Sequence, residues 1–343
     1  ILMLNENISY KESDIEVLKI LEDFLPDKMI DCHIHIWPKE CKKNSDAKAC
    51  ASWTSMVAEY NTVEDLFQTY KDMFPGKTVK AVLMGEPQCD LTKNNKYASD
   101  AAKKYNLPAF YCTHHSMSAE FLEKEVEEGG FCGLKPYQNN SPDYIPAKEI
   151  RIFDFLTPEH LELANKKGWI VMLHISRPAR LRDPLNLAQL LEIEEKYPNV
   201  KLIVAHVGRA YTPEDLGDAF EVLKNTKNMM FDFTANTYDY AMIKCLETVG
   251  PKRFMFGSDL PILKMRMFRT FENGIYYNNV PRGLYGDVSG DIHMRETDQK
   301  DITCFMYEEL LAFKRAAQTL KLSKQDVEDI MCNNAAKLFN ISF

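Results

Sequence analysis

The chain predicts an α/β fold, a (β/α)8 TIM barrel, and three observations predict it. Short apolar runs alternate with amphipathic stretches along nearly the whole sequence. Eight such runs occur, each followed by a helical pattern or a long connection, which suits a barrel of parallel strands. The runs of the second half are almost continuously apolar, as strands buried on both faces must be. An eight-stranded open sheet satisfies the same periodicity, so pattern alone leaves both arrangements standing.

In chain order, residues 12–25 read as a polar, helix-like N-terminal segment and residues 29–37 as the first strand. Residues 62–74 carry helical apolar spacing, with Glu64 and Asp65 early, where the helix dipole favours acids. Residues 79–85 read as the second strand, followed by a helix over 94–105. Residues 108–114 are the third, and Ser118 is a good capping residue for a helix running to 128. The fourth strand, 131–136, leads through a Pro/Asn-rich loop to a helix over 158–167. Strands over 169–175, 201–208 and 228–234 lead to helices over 185–197, 213–224 and 238–249, and 253–259 closes the series. No fixed-period repeat of the solenoid kind is present.

The chain has 343 residues, 42 basic and 50 acidic, for a net charge of −8. Its hydrophobic content, 45%, is enough to bury a core and excludes wholesale disorder. No long apolar run suggests a membrane-spanning helix, and the acidic balance gives no footprint for nucleic acid. A barrel of this kind occupies roughly 250 residues, which leaves about 90 to be placed elsewhere. We expect one domain over 1–343, with an N-terminal helical extension over 1–28. Lid insertions over 38–61 and 261–303 follow strands one and eight. They contain Trp53, Tyr60, Arg266, Arg269, Tyr276 and Tyr277, placed either to select substrate or to pack on the barrel. Nine cysteines, Cys50 among them, form no C-x-x-C pair, and the apolar start is too short for a signal peptide. The expectation is a reducing, cytoplasmic compartment.

Active-site residues of such barrels belong at the C-terminal ends of strands. His33 and His35 are two apart on the first strand, so alternation turns both to one face. Lys135, His174, His206 and Asp259 fall near the ends of strands four, five, six and eight. Imidazoles and a carboxylate meeting at one mouth suit Zn²⁺, or Mn²⁺ and Fe²⁺. A lone strand histidine is usually structural and Asp259 also reads as a helix cap. The shared strand end favours a site, because polar groups there are costly without partners. Arg177, Arg180 and Arg182 follow His174, and Arg209 follows His206. Such guanidinium forks bind carboxylates, so Arg177 and Arg209 are candidate substrate contacts, with salt bridges to Asp183, Glu214 or Asp215 as the alternative. Trp37, just past the histidine pair, is a candidate apolar wall. His114 and His115 also face the mouth but match no ligand spacing. His160 and His293 receive no role.

The motifs Asp31-Cys-His-Ile-His35, Gly133-Leu-Lys135, Val171-Met-Leu-His174, Val204-Ala-His206, Gly257-Ser-Asp259-Leu-Pro261 and the C-terminal Asn334-Ala-Ala-Lys-Leu-Phe-Asn-Ile341 resemble the amidohydrolase superfamily. Within it the chain resembles the amidohydrolase-related branch that includes aminocarboxymuconate semialdehyde decarboxylase. The resemblance spans residues 29–341 and implies roles. His33, His35, His174 and Asp259 would be metal ligands, with Asp259 also taking a proton, and His206 would be a catalytic acid/base. In two-metal members His206 would be a ligand and Lys135 a carboxylated bridge; one ion is favoured over two. The implied activity is hydrolysis of an amide, ester or lactone of a small carboxylated compound by metal-activated water. Non-oxidative decarboxylation of an aromatic or unsaturated acid is the alternative. The family's habit also suggests a homo-oligomer.

Overall fold

The computed structural model describes residues 3–5, 8–9, 11–42 and 52–343, without the side chains of residues 3–9 and 52–53. Cys50 and the Trp53 side chain therefore lie outside the described residues. A short antiparallel pair, Met3–Asn5 with Ile8–Ser9, precedes a helix over Glu12–Leu21, four residues shorter than expected.

Eight parallel strands follow: β1 (Lys28–Asp31), β2 (Thr78–Ala81), β3 (Phe110–Cys112), β4 (Gly133–Lys135), β5 (Ile170–Leu173), β6 (Lys201–Val204), β7 (Met230–Asp232) and β8 (Phe254–Met255). Strands β3 to β8 form a six-stranded parallel sheet in sequence order, and β1 pairs with β2 in a second sheet. The edges of the two sheets meet on both sides. Leu83 N–H donates to the Pro108 carbonyl beside β3, at 2.9 Å. Cys32 N–H donates to the Phe256 carbonyl beside β8 at 3.1 Å, and His35 N–H to Leu260 at 2.8 Å.

Alternation along the strands sorts the core into two layers. Ile30, Cys32, Val82, Phe110, Ile170, Met172, Ile203 and Met255 cluster together, joined by Cys332, Ala335 and Phe339 from the C-terminal segment. Met29, Leu83, Leu134, Val171, Leu173 and Val204 belong to the larger cluster that the helices cover. In β5 the two sets interleave residue by residue, so this strand is buried on both faces and its run is all apolar. Gly133 allows β4 to lie against β5, because a Cβ there would meet the Ile170 carbonyl oxygen at 1.9 Å.

The first strand departs from its expected form. Regular pairing ends at Asp31 instead of continuing to Trp37. Ile30 and Cys32 belong to one layer, whereas Ile34 and Ile36 belong to the other. The alternation therefore slips by one residue between Cys32 and Ile34. Strand eight is likewise only two residues long.

Helices Val63–Met73, Leu91–Tyr105, Ala119–Gly129, Pro158–Lys167, Pro184–Lys196 and Asp239–Val249 connect the strands. Thr62, Asp90, Ser118, Thr157 and Asp183 cap five of them, each side chain accepting a first-turn N–H. The expected single helix over 213–224 is two short ones, Pro213–Leu216 and Ala219–Leu223, broken at Gly217 with φ 48°.

Residues 261–303, expected as a lid insertion, contain a three-stranded sheet: β9 (Phe268–Glu272), β10 (Ile275–Pro281) and β11 (Met294–Thr297). β9 and β10 form a hairpin turning at Asn273-Gly274, with φ 51° and 77°. Both signs suit a type I′ turn. Helix Phe305–Thr319 then returns to pack on the strands, and no described helix is long and apolar enough to cross a membrane.

Candidate metal centre

The slip after Cys32 delivers His33 and His35 together at the end of β1. His33 is 1% exposed, and its Nδ1–H donates to Asp232 Oδ2 at 3.0 Å. Its Nε2 faces Asp259 Oδ1 at 3.7 Å. The Nδ1–H of His35 donates to the Gly85 carbonyl at 2.9 Å, and its Nε2 lies 3.3 Å from Asp259 Oδ1. Both rings are thus anchored on one nitrogen and turned toward Asp259 with the other. One ligand atom from each of His33, His35 and Asp259 lies within 4.8 Å of the other two, the one such group among the described residues.

His206 and His174 flank this group. The His206 ring is 5.0 Å from that of His33 and 5.1 Å from that of His174. His206 Nδ1–H donates to the Thr234 carbonyl at 2.8 Å, which leaves Nε2 with its lone pair. His174 stands outside the compact group of three. Its ring packs 4.9 Å from Tyr137, and its buried Nδ1 has no hydrogen-bond partner among the described residues. Lys135, 1% exposed, brings Nζ to 3.4 Å from His33 Nε2.

The electrostatics favour the neutral forms of His33, His174 and His206 and the ionised forms of Asp232 and Asp259. Burial, then the Lys135 ammonium, pushes the His33 pKa down to about 3. Burial also lowers His206 and His174, the latter with help from Arg209. Burial alone would raise Asp259, but the His35 hydrogen bond and the fields of His206 and His33 hold it well below the usual carboxylate range. Desolvation lowers the Lys135 pKa, so its ammonium is less costly to discharge than an exposed one. Neutral imidazoles beside an ionised carboxylate are the donor set a divalent ion needs, so the residues present fit such an ion.

Strain gathers at the same place. Arg177, His206, Val207, Arg209, Ala235 and Asp259 all have φ between 50° and 69° without being glycine. Such backbone persists only where surrounding contacts over-determine it.

The family model described as Amidohydrolase matches residues 30–341. The chain belongs to the amidohydrolase family. No curated protein matches it in sequence. Among solved structures, this amidohydrolase is similar to an amidohydrolase from Burkholderia multivorans, with 12% identity, a TM-score of 0.61, and 92% of this chain and 99% of that one covered. A probable 2-pyrone-4,6-dicarboxylic acid hydrolase from Acinetobacter baumannii gives 17% identity and a TM-score of 0.56, over 91% of this chain and 99% of that one. A dihydroxybenzoic acid decarboxylase from Polaromonas sp. JS666, solved with bound manganese, gives 16% identity and a TM-score of 0.53, over 92% of this chain and 97% of that one. At these identities the likeness is one of fold.

The arginines of the amidohydrolase divide. Arg177 spends its Nε on both oxygens of Asp183 at 3.0 Å, one of the ion pairs anticipated as its alternative role. Arg180 pairs with Asp215 at 2.7 Å. Arg209 has no carboxylate partner among the described residues; its one hydrogen bond goes to the Ile175 carbonyl at 3.4 Å. Trp37 is 7% exposed, packs on Cys41 and Cys89, and donates its indole N–H to the Glu59 carbonyl, so it braces the segment after β1. His114 and His115 pack on each other at 4.4 Å and join no ligand group.

Three nearby residues escaped the sequence reading: Asp232, Tyr137 and Glu309. Asp232 carried a signal, a carboxylate ending an apolar run as Asp259 does, but it has no equivalent among the motifs. Tyr137 sits in a loop and Glu309 in a helix, where neither spacing nor position marks them.

Proposed function

We propose that the protein is a metal-dependent hydrolase that cleaves an amide, ester or lactone of a small carboxylated compound. In this reading the eight strands close into one (β/α)8 barrel, roofed by residues 38–61 and 261–303, in a cytoplasmic protein. The observation that carries it is the convergence of His33, His35 and Asp259 within 4.8 Å. With His174 as fourth ligand they would hold one ion, Zn²⁺ by donor type, with Mn²⁺ or Fe²⁺ as alternatives. The manganese in the Polaromonas decarboxylase supports a first-row ion on this fold. Such an ion, when bound, brings the pKa of water to about 7 and polarises a carbonyl.

The chain's own groups do the rest. Asp259, held ionised, accepts a proton from the attacking water, and His206 offers Nε2 as the second acceptor. Whichever is protonated returns the proton to the leaving nitrogen or oxygen. Arg209, without a carboxylate partner among the described residues and close enough to depress His174, is the group we assign to the substrate's carboxylate. Lys135 stays unmodified and contributes positive charge behind His33.

The test is metal content after dialysis against chelator and reloading, followed by a screen of lactones, amides, esters and unsaturated or aromatic acids with CO₂ monitored. One equivalent of ion, its loss in His33→Ala, and hydrolysis of a carboxylated substrate are expected. Release of CO₂ from an acid without any hydrolysis would replace the hydrolase reading by a decarboxylase on the same site. Two equivalents, with a mass signature of carboxylated Lys135, would overturn the single ion.

A further inference from the structure

We infer that Glu309 is a positioning residue that fixes the orientation and tautomer of His206 through a single peptide plane, with Arg269 holding the next one. The inference rests on the reading of His206 as the group that works through Nε2.

Glu309 lies on helix Phe305–Thr319, is 0% exposed, and is not part of the candidate ligand group. A buried carboxyl is costly, and a stability role alone would be served better by an apolar side chain. Its Oε2 accepts the N–H of Ala235, and its Oε1 has no hydrogen-bond partner among the described residues. The carbonyl of that same peptide unit belongs to Thr234 and accepts the Nδ1–H of His206 at 2.8 Å. A trans peptide is planar, so its N–H and C=O point in opposite directions. Fixing the N–H end on Glu309 therefore fixes the C=O end on His206. A carbonyl can only accept, so His206 must carry its proton on Nδ1 and present Nε2 unprotonated.

The plane needs holding because Ala235 sits at φ 50°, a left-handed conformation that crowds the Cβ of any residue but glycine. Arg269, from β9, donates Nη1–H to the Ala235 carbonyl at 2.9 Å, on the following peptide. The same guanidinium lies 4.7 Å over the Tyr211 ring and 4.6 Å over the Tyr276 ring, and its Nε–H donates to Asn278 Oδ1 at 2.9 Å. The hairpin β9–β10 is thereby tied, through one strained residue, to the carbonyl that orients His206.

The experiment uses the full chain labelled with [¹⁵N]histidine, metal-free and metal-loaded, with two-bond ¹⁵N–¹H correlation spectra reporting each tautomer and His206→Asn assigning the resonance. The native chain and Glu309→Gln, whose amide oxygen still accepts from Ala235, should both show His206 as the Nδ1–H form. Glu309→Asp, which withdraws the acceptor by one methylene, and Arg269→Met should lose that signature, while His33, tied to Asp232, keeps its own. A folded Glu309→Asp that retains the Nδ1–H form overturns the proposal, as does its loss in Glu309→Gln. Should Glu309→Asp fail to fold, retention of the Nδ1–H form in Arg269→Met overturns it. Failure of the native chain to take up metal would sink the hydrolase reading and leave these metal-free spectra to decide the tautomer alone.

Discussion

Asp232 accepts three hydrogen bonds on which the centre depends. His33 Nδ1–H reaches its Oδ2 at 3.0 Å, and the backbone N–H groups of His206 and Thr234 reach its Oδ1 at 2.7 and 3.2 Å. Burial opposes its ionisation, but His33 and His206 outweigh that and keep it charged. Asp232→Asn would keep one acceptor for the backbone and set an amide N–H against His33 Nδ1. The ring would then have to move its proton to Nε2, the atom that faces Asp259. We expect metal affinity to fall about 10–100-fold with folding intact, measured by competition with a chromophoric chelator. An unchanged affinity would mean that Asp232 only caps the strand. The residues proposed as ligands could be singled out in the sequence, since a polar residue ending an apolar run is a local signal. Their tautomers could not, because each depends on an acceptor from another strand.

Single elements also carry what the pattern left out. The hairpin β9–β10 was announced by Asn273-Gly274 between β-forming residues, a two-residue turn signal that the reading of 261–303 as a lid passed over. The slip in β1 had no signal, since Met29 to Trp37 alternates as one strand would and only contacts with both layers reveal the shift. In helix Pro158–Lys167, His160 is 0% exposed, donates Nε2–H to the Met117 carbonyl at 2.8 Å, and has no partner at Nδ1 among the described residues. Burial lowers its pKa below the ordinary 6.5. Below that pH the unfolded chain binds a proton that the folded chain resists, so stability falls as pH falls. His160→Asn should lose less unfolding free energy than the native chain between about pH 7.5 and about pH 5, each site being worth up to about 1.4 kcal/mol per pH unit. Urea titrations across that range check it, and parallel slopes would refute it.

For the whole molecule, the informative contact is the ion pair of Arg266 with Asp14. The guanidinium reaches both carboxylate oxygens, at 3.1 and 2.6 Å, with the two side chains 2% and 0% exposed. Arg266 was expected among the lid residues that select substrate or pack; its partner places it in packing. The pair joins the N-terminal helix to the segment before β9, and the backbone N–H groups of Lys11 and Cys304 also donate to Asp14, at 2.8 and 3.3 Å. Arg266→Met would leave Asp14 charged and buried, at a cost of about 3–5 kcal/mol. Denaturant unfolding measures it, and Asp14→Asn in the same chain should recover part of the loss.

The sequence by itself determined the order of eight strands, the strand ends that carry polar groups, and the family. Each of these is written in contiguous residues, as a period, a run length or a short motif. The tertiary structure alone decided that His33 is held by Asp232, 199 positions away, and Asp14 by Arg266, 252 positions away. It also decided that Arg177 belongs to Asp183 while Arg209 is left without a carboxylate partner among the described residues. Hydrogen bonds and ion pairs select partners by distance in space, and only the packing of the strands, helices and loops against one another sets those distances.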